Sequence, residues 1–387
     1  MKILILHTFY RYPGGEESIV ANEIALLKTD GHEVELFGFY NSSHSISEIV
    51  SLLFAPFNLF SMAGVVKKIR SFQPDVVHLH NWHFAASPAV IVACHRQKVP
   101  IVLSIHNFRL LCPSGTLFHD GKLYHDSLKR SFPWRAVFDG VYRNSKLLTF
   151  WLAFTLFLHR KLKTWQKVNQ FIVNSDFVKS LFLQSSLHID PVKITVKANS
   201  IRDFTFDVEI KREKYFLFIG RMVEEKGVNV LLDAFAHNGL PLLIYGYGPL
   251  ETNVRTYAER YSNITFQGIL PNERVAEELR KCAALIFPST WYEGMPITLL
   301  EAFSTGTPVI ASKIGAMSTM VQDQYNGLHF EPGNIEDLNQ KLRDWQGLSE
   351  MEKMKFSKQA RQSYLDHYTQ EINLNALDSI YKRAINS

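Results

Sequence analysis

The sequence predicts two doubly wound α/β domains of similar size. Short apolar runs alternate with longer amphipathic segments, the pattern of β-α units around parallel sheets. The runs fall into two series, split by Arg202 to Lys214, where eight of thirteen residues are charged and no apolar period survives. A chain of 387 residues also exceeds what one hydrophobic core usually serves, and fits two or three domains.

The first series reads KILILH (2–7), EVELFGF (33–39), VVHLH (76–80), PIVLSIH (100–106), QFIVNS (170–175) and ITVKAN (194–199). The second reads YFLFIG (215–220), PLLIYG (241–246), ITFQG (264–268), ALIFPS (284–289) and PVIAS (308–312). Helical patterns separate most of them, as at 16–28, 227–236 and 296–304. The charged stretch is expected to be the interdomain linker. No recurring repeat or low-complexity tract is present, which excludes solenoids and propellers.

A hydrophobic content of 46% excludes a disordered chain. Cys94, Cys112 and Cys282 are an odd, scattered set, so no disulfide framework is expected and the thiols fit a reducing compartment. The apolar start is too short for a signal-peptide core and reads as a buried strand. Net charge is only +5, yet residues 129–167 hold nine Lys or Arg against Asp139 alone, interleaved with aromatics. Neither apolar stretch, 147–158 or 49–66, is long and unbroken enough to span a bilayer.

In such sheets ligands bind beyond the carboxyl ends of strands, and with two domains the expected site is the cleft between them. Gly14 and Gly15 follow the first strand, where backbone N–H groups at a helix start can approach a phosphate; an ordinary tight turn would look the same. Arg221 and Lys226 flank a second strand-to-helix turn and suit a diphosphate that must be held and then stabilised as it leaves. The alternative there is a solvated pairing with Glu224 and Glu225.

The richest segment is Trp291 to Ala302. Pro296 suits a first helical turn, which leaves Glu293 in the preceding loop and Glu301 inside the helix. The N–H groups of Gly294, Met295, Ile297, Thr298 and Leu299 would face phosphate, and the carboxylates sugar hydroxyls. His106, at a strand end, could touch a substrate hydroxyl or be a satisfied structural residue. His78 and His80 share a strand face like metal ligands, but no cysteine or carboxylate is spaced with them, and no Asp-x-Asp pair is present.

Together Gly14-Gly15, VVHLHN, SIHNFRLLCPSG, VNSDFVK, KANSI, FIGRMVEEKG, YGYGP, FQGIL and Glu293-x7-Glu301 resemble the family 4 glycosyltransferases, retaining nucleotide-sugar enzymes of GT-B fold. The resemblance runs over essentially the whole chain. It implies two Rossmann-like domains, an acceptor domain at 1–200 and a nucleotide-sugar domain at 201–367, with a C-terminal helix at 368–387 returning to the first. It implies that Glu293 and His106 contact the donor sugar and that Arg221, Lys226 and Gly15 hold the diphosphate. Glu301 would bind ribose, Gly268 and Leu270 would lie at the base, and Asn199 and Leu299 would line the cleft. Ser200 replaces the usual glycine after Asn199, and relatives' cysteines after the Cys-Pro segment are missing here.

The implied activity is transfer of a sugar, from a UDP-sugar in preference to GDP-mannose, to a lipid-linked oligosaccharide or a lipopolysaccharide or capsule acceptor. No cofactor, metal or nucleic acid is expected. Lys129, Arg130, Arg135, Trp151, Arg160, Lys161 and Lys163 would dock an anionic membrane or the acceptor, placing the protein peripherally on the cytoplasmic face of an inner membrane. The alternative is that residues 147–158 form a core helix with a solvated basic rim. Rival readings are a GT-B nucleotide-sugar epimerase, a non-catalytic binding module, a glycoside hydrolase and an NAD-type oxidoreductase. The last lacks the third fingerprint glycine, since Glu251 stands there.

Overall fold

The computed structural model describes residues 1–10, 15–41, 52–204 and 212–387. They form two compact units. Met1–His119, Tyr124–Asn199 and Glu371–Ser387 make the first, and Asp120–Leu123 with Ser200–Gln370 the second.

The first unit is a parallel sheet of β1 (Lys2–Phe9), β2 (Glu33–Tyr40), β3 (Val76–Leu79), β4 (Ile101–Ile105), β7 (Gln170–Val173) and β8 (Ile194–Val196), in the order β2-β1-β3-β4-β7-β8. Helices cover both faces, so β3, β4 and β7 are buried throughout and read as unbroken apolar runs. The chain reverses direction across the sheet between β1 and β3. That switch point opens a crevice above the strand ends.

The helix Gln370–Ile385 completes this unit. Leu377, Ile380, Tyr381 and Ala384 recur at helical spacing and pack with Ile3, Ile5, Val102 and Ile172. Asn373 Nδ2 donates to Ala198 O at 2.7 Å, tying the helix start to the segment after β8.

The second unit repeats the architecture. β9 (Phe216–Ile219), β10 (Leu242–Tyr245), β11 (Ile264–Phe266), β12 (Ala284–Phe287), β13 (Val309–Ser312) and β14 (Gly327–Phe330) run in the order β11-β10-β9-β12-β13-β14. Its switch point lies between β9 and β12. Phe216, Phe218, Leu231, Phe235, Ile286 and Phe330 form its core. All eleven strands expected from the sequence are present. β14 is additional, as is a small hairpin of β5 (Phe118–His119) with β6 (Lys122–Leu123).

The charged stretch after Asn199 is more than a linker. Its residues 205–211 lie outside the described ones, but its two ends are built into the second unit. Asp203 takes both terminal nitrogens of Arg361, at 2.5 and 2.7 Å. Arg212 donates to five backbone carbonyls, those of Leu279, Arg280, Cys282, Thr305 and Gly306, and to the hydroxyls of Thr307 and Ser357. Of its charges, Asp203 and Arg212 are engaged in structural guanidinium contacts, which sequence polarity alone cannot distinguish from solvation.

Candidate functional site

In the second unit the two loops flanking the switch point meet. The loop after β9 carries Arg221 and Lys226, and the loop after β12 carries Ser289, Trp291 and Glu293. Gly227 allows the approach: its φ is 70°, and a Cβ there would lie 1.9 Å from Pro288 O. Lys226 Nζ sits 2.5 Å from Glu293 Oε1. The same oxygen accepts from Trp291 Nε1 at 2.7 Å and Ser289 Oγ at 2.9 Å. Burial alone would raise the Glu293 carboxyl, but the Lys226 charge and the three donors outweigh it and hold it below the usual range. Glu293 is a buried, fixed carboxylate.

Arg221 is half-exposed, with its terminal nitrogen 3.9 Å from Glu225. That pairing is weak and leaves the guanidinium available to an anion. Pro296 precedes the helix Ile297–Ser304, with Thr298 in its first turn. The Leu299 N–H already donates to Pro296 O at 3.2 Å, and the Leu299 side chain is core. Gly294 and Met295 stand between Glu293 and that helix. Glu301 lies within it, and burial lifts its carboxyl to about 7 against the opposing pull of Arg202. Among the described residues no side-chain hydrogen bond holds it. Gly268 O accepts from Gly246 N–H at 2.7 Å, and the Leu270 side chain is buried.

In the first unit, histidines line the strand ends around the other switch point. His106, directly after β4, has Nε2 3.0 Å from His80 Nδ1, with the rings stacked at 5.3 Å. His80 Nε2 faces Glu23 Oε2 at 3.6 Å, and Glu23 Oε1 is 2.5 Å from Lys197 Nζ. Burial holds His106 down to about 4 and His80 well below the imidazole range. Asn199 is buried at the edge of this unit. Gly14 lies outside the described residues. Gly15 opens the helix Gly15–Thr29, followed at once by Glu16, whose carboxyl burial lifts to about 8 while it accepts from Tyr10 Oη at 3.1 Å.

The fold supplies the carboxylate that spacing did not show beside His78 and His80: Glu23 lies within ligand distance of both. The cluster nonetheless carries its own cation, Lys197. His78 is also fully engaged, to Tyr381 Oη and Ser104 Oγ at 2.8 Å each. Glu23 and Lys197 are 174 residues apart and no local pattern links them. Trp291 and Ser289 were within reach of sequence reasoning, since both sit on the loop that ends in Glu293.

A family model described as Glycosyltransferase Family 4 matches residues 13–202, and one described as Glycosyl transferases group 1 matches residues 200–363. A glycosyltransferase from Rickettsia africae superposes with a TM-score of 0.70 at 17% identity, covering 99% of this chain and 98% of that one. Anabaena HepE, solved with UDP, superposes at 0.68 and 17% identity, over 99% of this chain and all of that one. The chain shares the GT-B fold of these two structures and is related to the glycosyltransferases that the two family models describe. The O-antigen chain mannosyltransferase C of Escherichia coli is 29% identical over 180 residues, 45% of this chain. The match spans about half of that relative, 48% of its length.

On the GT-B chain's first unit, the basic aromatic segment divides by face. The helix Lys146–Lys161 buries Leu152, Ala153, Leu156 and His159, so one side is core, as the structural alternative holds. Its other side, with the helix Trp134–Asp139 and residues 53–60, exposes Trp134, Phe138, Leu147, Leu53 and Phe60, the last at 76%. Lys129, Arg130, Arg135, Lys161 and Lys163 are exposed nearby. Two expected members are not free. Arg160 donates to Arg130 O, Ser131 O and Ser186 Oγ, and Trp151 Nε1 donates to Leu52 O at 2.6 Å. Among the described residues no helix is long and apolar enough to cross a membrane.

Proposed function

We propose that this protein is a retaining glycosyltransferase that moves a sugar from a nucleotide-sugar donor to a lipid-linked or lipopolysaccharide acceptor at a cytoplasmic membrane face. The single observation that carries the reading is Glu293, held as a buried carboxylate beside Lys226, with Glu301 in the helix that follows it. In this reading Glu301 takes the ribose hydroxyls, and Arg221 with the start of the helix Ile297–Ser304 takes the diphosphate. Lys226 neutralises the departing diphosphate oxygen, and Glu293 orients the donor sugar and stabilises positive charge growing at its anomeric carbon.

The acceptor hydroxyl attacks on the face the diphosphate leaves. The carbon–oxygen bond to the diphosphate breaks, the bond to the acceptor oxygen forms, and the leaving phosphate oxygen takes the acceptor proton. The cations already in place do the charge neutralisation, so the reading assigns no resident metal. The exposed apolar and basic face of the first unit supports membrane docking, since each Lys or Arg near anionic lipid contributes about 1 kcal/mol. The O-antigen relative supports a surface-polysaccharide acceptor, and HepE's UDP supports a uridine donor.

The test is nucleotide release from UDP-, GDP-, ADP- and TDP-sugars without added metal, comparing the wild type with Glu301→Ala. Release from one donor class, lost in the variant, supports the reading and identifies the base. Neither binding nor release across the panel would overturn it.

A further inference from the structure

Beneath His106 lies a buried chain of polar groups that the proposed chemistry does not use. It runs from Lys197, after β8, to Glu23 on the helix Gly15–Thr29, then to His80 after β3 and His106 after β4. Glu23, His80 and Lys197 are each at least 95% buried, at 4, 3 and 3% exposure. Such a group is retained in a core only when its charges and hydrogen bonds are matched.

The matching imposes an order on the protons. Lys197 at 2.5 Å keeps Glu23 ionised. At 3.6 Å a carboxylate oxygen attracts an N–H and repels a ring lone pair, and the low-dielectric interior magnifies the difference. His80 therefore carries its proton on Nε2, which leaves Nδ1 as an acceptor. His106 Nε2, 3.0 Å from that Nδ1, must then be the donor. A neutral His106 protonated on Nε2 has a bare Nδ1.

We infer that Glu23 and Lys197 are positioning residues that fix the tautomers of His80 and His106 in series, so that His106 offers Nδ1 as a hydrogen-bond acceptor to a sugar hydroxyl. The role in sugar binding rests on the glycosyltransferase reading; the tautomer assignment stands without it. Other titratable groups packed around the chain are His7 from β1, Glu16 from the helix Gly15–Thr29, His78 from β3, Tyr381 from the C-terminal helix and Arg109, which lines the same crevice as His80 and His106. Burial keeps His7 and His78 below the ordinary imidazole range, so neither imidazole competes with Lys197 for Glu23 as a cation.

The experiment is nitrogen-15 long-range correlation NMR of the histidine rings at pH 7, with the His106 signals assigned by their loss in His106→Gln. The wild type should show His106 and His80 both neutral and protonated on Nε2. In Glu23→Gln/Lys197→Met, which removes both charges together, His106 should shift to mixed tautomers. Donor turnover should fall about 10- to 100-fold with the Kd for UDP or GDP unchanged, and Glu23→Asp should retain the wild-type tautomers and most turnover. A wild-type His106 that is protonated on Nδ1, or is an imidazolium, overturns the inference, as does a folded double variant with unchanged tautomers. If the double variant does not fold, the wild-type spectrum decides alone. Correct tautomers with no turnover from any donor would count against the transferase reading instead.

Discussion

Lys226 and Glu293, 67 residues apart, meet at 2.5 Å across the switch point of the second sheet. Three donors converge on Oε1 of Glu293, and among the described residues none reaches Oε2. One carboxylate oxygen is thus consumed in holding the group still, and the other remains for a ligand. Glu293→Gln keeps the size but loses the charge. Turnover should fall about 100-fold, while UDP or GDP affinity measured by calorimetry should be unchanged. Loss of nucleotide binding would count against the orienting role.

Trp291→Phe should act through the same carboxylate. Removing the 2.7 Å indole donor raises the Glu293 carboxyl, so the acid limb of the pH–kcat profile should move to higher pH. An unshifted limb would mean that Glu293 does not set it.

Glu301 gives a prediction of opposite sign. Its raised carboxyl, about 7 against an ordinary 4.5, favours the folded state when protonated. That stability is full below the ordinary carboxylate range and is lost as pH rises through about 7. Glu301→Gln should therefore raise stability at pH 8, by on the order of 2 kcal/mol, and change it little at pH 4. Nucleotide affinity of the wild type should rise from pH 6 to pH 8, as the carboxylate that accepts the ribose hydroxyls forms. Chemical denaturation and calorimetry across that range check both.

Arg212 tests whether the charged connection is structural. Arg212→Leu leaves five carbonyls without their shared donor, and should destabilise the second unit by roughly 3 kcal/mol or more. A urea midpoint equal to the wild type's would show that the guanidinium contacts contribute nothing net.

Much of this architecture is legible in the sequence because buried parallel strands must be continuous apolar runs, as VVHL and ALIF are. β14 escaped because Gly327-Leu-His-Phe330 is short and its Gly and His dilute the apolar signal. Glu293 and Glu301 were legible from the Gly and Pro that set a loop against a helix. Their environment was not: whether Glu293 meets a cation depends on how β9 and β12 adjoin, which no spacing reports. The same holds for Glu23 and Lys197, which are ordinary helix and strand-end residues until the sheet brings them together. Arg160 shows the reverse error, a cation that sequence assigns to the surface and that the fold spends on carbonyls.

The helix Gln370–Ile385 has a consequence for biosynthesis. Leu377, Ile380, Tyr381 and Ala384 belong to the core of the first unit, yet a ribosome makes them only after the whole of the second. Throughout elongation the first sheet waits with an uncovered apolar strip, while the second can already close. The emerging chain must therefore be kept from aggregating at one face until this helix arrives, and a stop just after residue 370 would release a protein with one finished half and one open one.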